Sequence, residues 1–88
     1  MNSNNKYFFI GIGGIGMSSI ARYFLNLGNE IMGYDKVGSE IVKKLSEDGV
    51  KVLDVVDINL LSEDFKLNDV IVIYTSAISK ENPYLKYF

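Results

Sequence analysis

The sequence predicts an α/β domain built on a doubly wound, three-layer parallel sheet of about four strands, and three observations carry that prediction. Apolar runs rich in β-branched and aromatic residues recur four times, mostly without the two-residue alternation of a half-exposed strand, the pattern of strands covered on both faces. Segments with helical periodicity separate the first three runs, and helices joining strands in this order give right-handed parallel crossovers. The first junction, "GIGGIG" at residues 11–16, concentrates four glycines where a strand turns into a helix.

Each element follows from local chemistry. Residues 1–5, "MNSNN", are polar and are expected to form a disordered tail, which puts the domain at 6–88. The first strand is expected over 7–12. Met17, Ile20, Ala21, Phe24 and Leu25 then fall on one helical stripe, and Gly28 supplies the left-handed stop. A second strand is expected over 30–35. Ser39 caps a helix running through Leu45, with Ile41, Val42 and Leu45 inward and Gly49 as its stop. A short third strand follows over 50–53. Residues 54–68 mix apolar and acidic side chains and predict a loop with one helical turn near 58–61. "DVIVIYTSA", residues 69–77, predicts the fourth strand, its polar tail at the carboxyl edge where open α/β sheets bind ligands. Asn82 as N-cap and Pro83 in the first turn open a last helix. It runs about one turn and would expose Tyr84, Leu85, Tyr87 and Phe88, so a core-facing helix cut from a longer chain is expected.

Composition removes several function classes. With 9 basic and 11 acidic side chains and no basic stripe, no nucleic-acid partner is expected. The sequence has neither Cys nor His, which excludes disulfides, the usual zinc sites, thiol nucleophiles and imidazole acid-base chemistry. Lys6 precedes an apolar run, as in a secretory signal. Glycines interrupt that run, however, and an amphipathic helix stands where a small-residue cleavage site belongs. No stretch approaches about 18 continuous apolar residues, so no membrane span and a cytoplasmic location are expected. Glu47 with Asp48, and Glu63 with Asp64, read as solvated surface pairs.

Gly11, Gly13 and Gly16 fit G-x-G-x-x-G in the context that gives it meaning: a strand before, a helix after, and Asp35 ending the second strand. This is a Rossmann-like arrangement. The first glycine permits the tight turn, the second lets a phosphate approach the backbone, and the third lets helix and strand pack closely. The N–H groups of Gly14, Ile15 and Gly16 would stand at a helix N-terminus, which favours a diphosphate. Asp35 is placed to meet a ribose. Ser39, Thr75, Ser76 and Asn82 are candidate ligand contacts, each with capping or turn chemistry as the plainer role. From the residues alone the ligand is NAD, another dinucleotide or a nucleotide sugar. A small NAD-binding module of a dehydrogenase or regulatory protein is therefore the alternative. No Lys precedes Ser or Thr, so no Walker A sequence for ATP exists here.

The stretch "FIGIGGIGMSSIARYFLNLGNEIMGYD", residues 9–35, closely resembles the opening of the bacterial Mur ligases, in particular the branch that joins L-alanine to UDP-N-acetylmuramate. "VIVIYTSAISKENPYL", residues 70–85, resembles a second block of that family, V-V-x-S-S-A-I followed by N-P. The resemblance covers nearly the whole chain. It implies a UDP-binding N-terminal domain, followed in full-length relatives by a central ATP-binding domain and a C-terminal domain that receives the amino acid. There ATP would form an acyl phosphate on the lactyl carboxylate, with magnesium bridging the charges in the central domain, and the amine would displace phosphate. Within these residues the resemblance implies no catalytic group, metal ligand or bound cofactor. It places the Gly14, Ile15 and Gly16 amides on the diphosphate, Asp35 on or near the ribose, and Thr75, Ser76, Ala77 and Ile78 on the uridine side. Its implied partners are UDP-N-acetylmuramate and the further domains of the same polypeptide. Two departures stand out: Asp54 and Val55 occupy the place of a Gly-His pair common in the family, and Thr75 replaces a Ser while keeping the hydroxyl.

Overall fold

The four apolar runs lie side by side as β1 (Lys6–Ile10), β2 (Glu30–Tyr34), β3 (Lys51–Leu53) and β4 (Val70–Ile73), in the order β3-β2-β1-β4. All pairings are parallel, with Phe9 opposite Gly33 on one side and Ile73 on the other. This arrangement is that of a computed structural model, which describes residues 5–66 and 69–88. Residues 1–4 of the expected tail lie outside those described. Asn5, assigned to that tail by its polarity, is instead tied down: its N–H donates to Asn29 Oδ1 at 3.0 Å and its carbonyl accepts the Glu30 N–H.

Because successive strand residues point to opposite faces, the uninterrupted "YFFI" of β1 supplies two cores at once. Tyr7 and Phe9 pack with Ile12, Met17, Ala21, Ile31, Leu45 and Val50 beneath α1 (Ile15–Asn26) and α2 (Glu40–Glu47). Phe8 and Ile10 pack with Met32, Leu53, Leu61, Phe65 and Tyr84 on the other face. That face is covered by two 3-10 turns, Ile58–Leu60 and Glu63–Lys66, and by α3 (Pro83–Tyr87). The result is a helix–sheet–helix sandwich, the three-layer Rossmann-like architecture expected. Phe8, Phe9 and Ile10 have no exposed surface, and each such side chain contributes roughly 1.5–3 kcal/mol by burial.

Several boundaries shift for identifiable reasons. β1 stops at Ile10 because Gly11 turns with φ +84°, and the Gly11 and Ile12 N–H groups both donate to the Tyr34 carbonyl. β4 ends at Ile73 rather than residue 77. Beyond it the Thr75 hydroxyl accepts the Ala77 N–H at 3.3 Å and the Thr75 carbonyl accepts the Ile78 N–H, a local turn that replaces the strand ladder. In α1, Ile20 is 41% exposed, whereas Ser18 is buried with its hydroxyl donating to the Ile15 carbonyl. The helix thus turns its Ser18 and Arg22 flank toward α2, where Arg22 pairs with Asp48. The unexpected second 3-10 turn buries Phe65.

The last helix faces the core as expected, but Tyr84 is covered within this chain and not exposed. Tyr84 is completely buried against Phe8 and Tyr34. Its hydroxyl accepts the Asp57 N–H at 3.0 Å and has the Val55 and Asp57 carbonyls at 2.9 and 3.1 Å as acceptors for its proton. Burial pushes the phenol above its ordinary value of 10.0, and the Asp57 backbone hydrogen bond opposes that shift. Tyr84 therefore pins the irregular 54–57 segment to the sheet.

Candidate functional site

The carboxyl ends of β1 and β2 and the turn between β4 and α3 enclose a cleft of about 340 Å³ lined by Gly11, Tyr34, Asp35, Lys36, Ala77, Ile78, Ser79 and Asn82. That size lies at the small end of ligand sites, and the carboxyl edge of the strands is where open α/β sheets bind. Residues from both separated sequence blocks meet here. A Cβ built on Gly11 would lie 3.3 Å from Ile78 Cδ1, so the second block rests directly on the glycine turn.

Beside the cleft, α1 has Gly14 at its N-cap, with no side-chain cap and no acidic residue in its first turn. The first intrahelical bond runs from the Ser18 N–H to the Gly14 carbonyl. The N–H groups of Ile15 and Gly16 thus have no acceptor within the helix and carry its positive end. Gly14 differs from its expected role, because its N–H donates to the Gly11 carbonyl at 3.2 Å and is committed to the turn.

Asp35 is turned into the loop. Its Oδ2 accepts the Gly13 N–H at 2.8 Å and its Oδ1 accepts the Val37 N–H at 2.9 Å. A Cβ on Gly13 would stand 2.7 Å from that Oδ2 and 3.0 Å from Val42 Cγ2. The side chain missing at the second glycine of the fingerprint therefore makes room for Asp35 from within the protein. At the third glycine the expected close packing is absent: nothing lies within 4 Å of a Cβ on Gly16. The close approach of backbones occurs at Gly33, where a Cβ would meet the Phe9 carbonyl at 2.9 Å and Ile12 Cδ1 at 2.7 Å.

The remaining candidates divide. Asn82 lines the cleft while its Oδ1 caps α3, accepting from Tyr84 and Leu85. Ser39 is outside the cleft lining and caps α2 through the Val42 N–H at 3.3 Å. Thr75 and Ser76 are exposed on the turn and are not among the lining residues. Tyr34, Lys36 and Ser79 line the cleft but carried no signal of their own in the sequence. Their adjacency to Asp35 and Ile78 was the one available cue.

The family model described as "Mur ligase family, catalytic domain" matches residues 6–88. The chain belongs to the Mur ligase family. It is 39% identical over 88 residues to the UDP-N-acetylmuramate–L-alanine ligase of Flavobacterium psychrophilum, covering 100% of this chain and 20% of that protein. The enzyme of the same name from Campylobacter jejuni is 45% identical over 80 residues, covering 90% and 17%. The crystal structure of UDP-N-acetylmuramate-alanine ligase from Thermotoga maritima superimposes with a TM-score of 0.78 at 29% identity, covering 92% of this chain and 18% of that one. This Mur ligase chain therefore spans about a fifth of the length of such relatives.

Among the described residues no group of three or more His, Cys, Asp or Glu comes together, and the sequence has no Walker A lysine. Among the described residues no helix is long and apolar enough to cross a membrane.

Proposed function

We propose that this chain holds the UDP end of UDP-N-acetylmuramate for an ATP-dependent ligase that adds L-alanine in the synthesis of peptidoglycan precursors. The observation that carries the proposal is the meeting of the two sequence blocks in one cleft beside the uncapped start of α1. The diphosphate lies over the Ile15 and Gly16 N–H groups, which donate to it from the start of the helix. The uridine lies against Gly11, Ala77, Ile78 and Asn82. Asp35 acts mainly through the loop, holding Gly13 and Val37, and each of its oxygens keeps a second lone pair for a ribose hydroxyl.

These residues supply no nucleophile, acid or base for the ligation. Their contribution is binding energy from a remote part of the substrate, which orients the reacting carboxylate elsewhere in a longer enzyme. ATP and magnesium act in that enzyme's further domains, and a cytoplasmic location goes with its nucleotide substrates. An isolated chain is accordingly expected to bind and not to ligate.

Titration of the isotopically labelled chain with UDP-N-acetylmuramate, UDP and NAD, followed by amide shifts, tests the proposal. The uridine ligands should move Ile15, Gly16, Ala77 and Ile78. Movement of those amides by NAD, with no response to the uridine ligands, would overturn the reading in favour of an NAD module.

A further inference from the structure

The charge balance at the cleft singles out Lys36. The sequence holds nine cationic side chains. Lys6, Arg22, Lys43, Lys66 and Lys86 pair with carboxylates, and Lys51 reaches the Leu60 carbonyl. Lys36, Lys44 and Lys80 have no ion-pair partner among the described residues, and of the three only Lys36 lines the cleft.

Asp35 brings a full negative charge to the glycine turn, its Oδ2 2.8 Å from the Gly13 N–H. The start of α1 offsets that with only about half a positive charge. A diphosphate approaching the turn would thus meet a carboxylate that outweighs the helix end. Lys36 is the next residue along, exposed and unpaired among the described residues, while the Asp35 oxygens accept the Gly13 and Val37 N–H groups.

We infer that Lys36 is the counter-charge for the diphosphate of the bound nucleotide, setting affinity for the phosphate part and not for the uridine; this rests on the UDP reading above. Its ammonium restores a positive balance at the cleft mouth. Being exposed, it acts through a screened interaction of moderate size.

The test compares the unaltered chain with Lys36→Gln, Lys36→Arg and Lys44→Gln, each titrated with uridine and with UDP at two ionic strengths and followed by amide shifts. Lys44→Gln changes the net charge as much as Lys36→Gln but lies in the groove between α1 and α2. Lys36→Gln should weaken UDP binding about threefold to tenfold at low salt. That gap should narrow as ionic strength rises from about 0.01 to 0.15 M. Lys36→Arg and Lys44→Gln should bind UDP as the unaltered chain does, and uridine affinity should be the same throughout. Equal UDP affinity in Lys36→Gln, or an equal loss in Lys44→Gln, overturns the inference while leaving the UDP reading intact. Failure of the unaltered chain to bind UDP overturns both.

Discussion

The Asp35 carboxylate occupies the space a side chain at Gly13 would need: its Oδ2 accepts the Gly13 N–H at 2.8 Å, and a Cβ there would stand 2.7 Å from the same oxygen. The glycine and the aspartate are thus one structural unit. Gly13→Ala should destabilise the fold by about 1–3 kcal/mol, through the clash and the displaced hydrogen bond. In an Asp35→Ala background the same change should cost clearly less, because the obstructing oxygen is gone; Val42 Cγ2, at 3.0 Å, still resists. Urea unfolding of the four members of the cycle measures the coupling. Additive costs would show that Asp35 and Gly13 act independently.

Gly33 offers the contrasting case. A Cβ there meets the Phe9 carbonyl at 2.9 Å, and that carbonyl belongs to the neighbouring strand, not to a side chain able to rotate away. Gly33→Ala should therefore cost about 1–3 kcal/mol, and trimming Ile12, the other close neighbour at 2.7 Å, should relieve only part of it. Full rescue by Ile12→Ala in the double variant would place the strain on the side chain instead of the backbone.

These two glycines also show what was legible in the sequence. Stops at Gly28 and Gly49, caps at Ser39 and Asn82, and the four apolar runs are local features, written in adjacent residues, and the structure has them all. Gly33 and Gly16 exchange the roles a fingerprint would give them, because close packing is decided by which strand or helix lies opposite. Ile20 and Ser18 trade places for a similar reason: the flank of α1 that is covered is set by where α2 lies, not by the 3.6-residue period. The sequence marks Tyr84 as part of a core-facing helix but not its anchorage, because its hydroxyl partners, Val55 and Asp57, lie more than 25 residues back in a segment without periodicity. In the site, the fingerprint located the turn and the cleft. It is silent on Lys36, which lines the cleft.

Tyr84 gives a prediction with a pH signature. Tyr84→Phe should cost about 1–2 kcal/mol near neutrality, since the Asp57 N–H loses its acceptor and the Val55 carbonyl its donor. The phenol is raised above 10.0 in the folded state. As pH climbs past about 10, the unfolded chain releases this proton first and the folded chain still holds it, so stability falls with pH. Stability linked to Tyr84 is thus whole below pH 10 and lost above it. The difference between the unaltered chain and Tyr84→Phe should shrink over that alkaline range, the other five tyrosines being common to both. A constant difference in denaturant unfolding across that range would contradict the burial argument.

Gly16 separates stability from binding. It sits in the first turn of α1, nothing lies within 4 Å of an added Cβ, and its backbone is already helical. Alanine there should stabilise the fold by about 0.4–1 kcal/mol, because the unfolded chain loses freedom and the helix gains a better former. The same methyl group would project beside the Ile15 and Gly16 N–H groups proposed to receive the diphosphate. Gly16→Ala should therefore raise the urea midpoint while weakening UDP several-fold, a split that general damage to the fold cannot produce. A variant both more stable and unchanged in UDP affinity would move the diphosphate away from the start of α1. A less stable one would mean that the third glycine has a packing role at Gly16 after all.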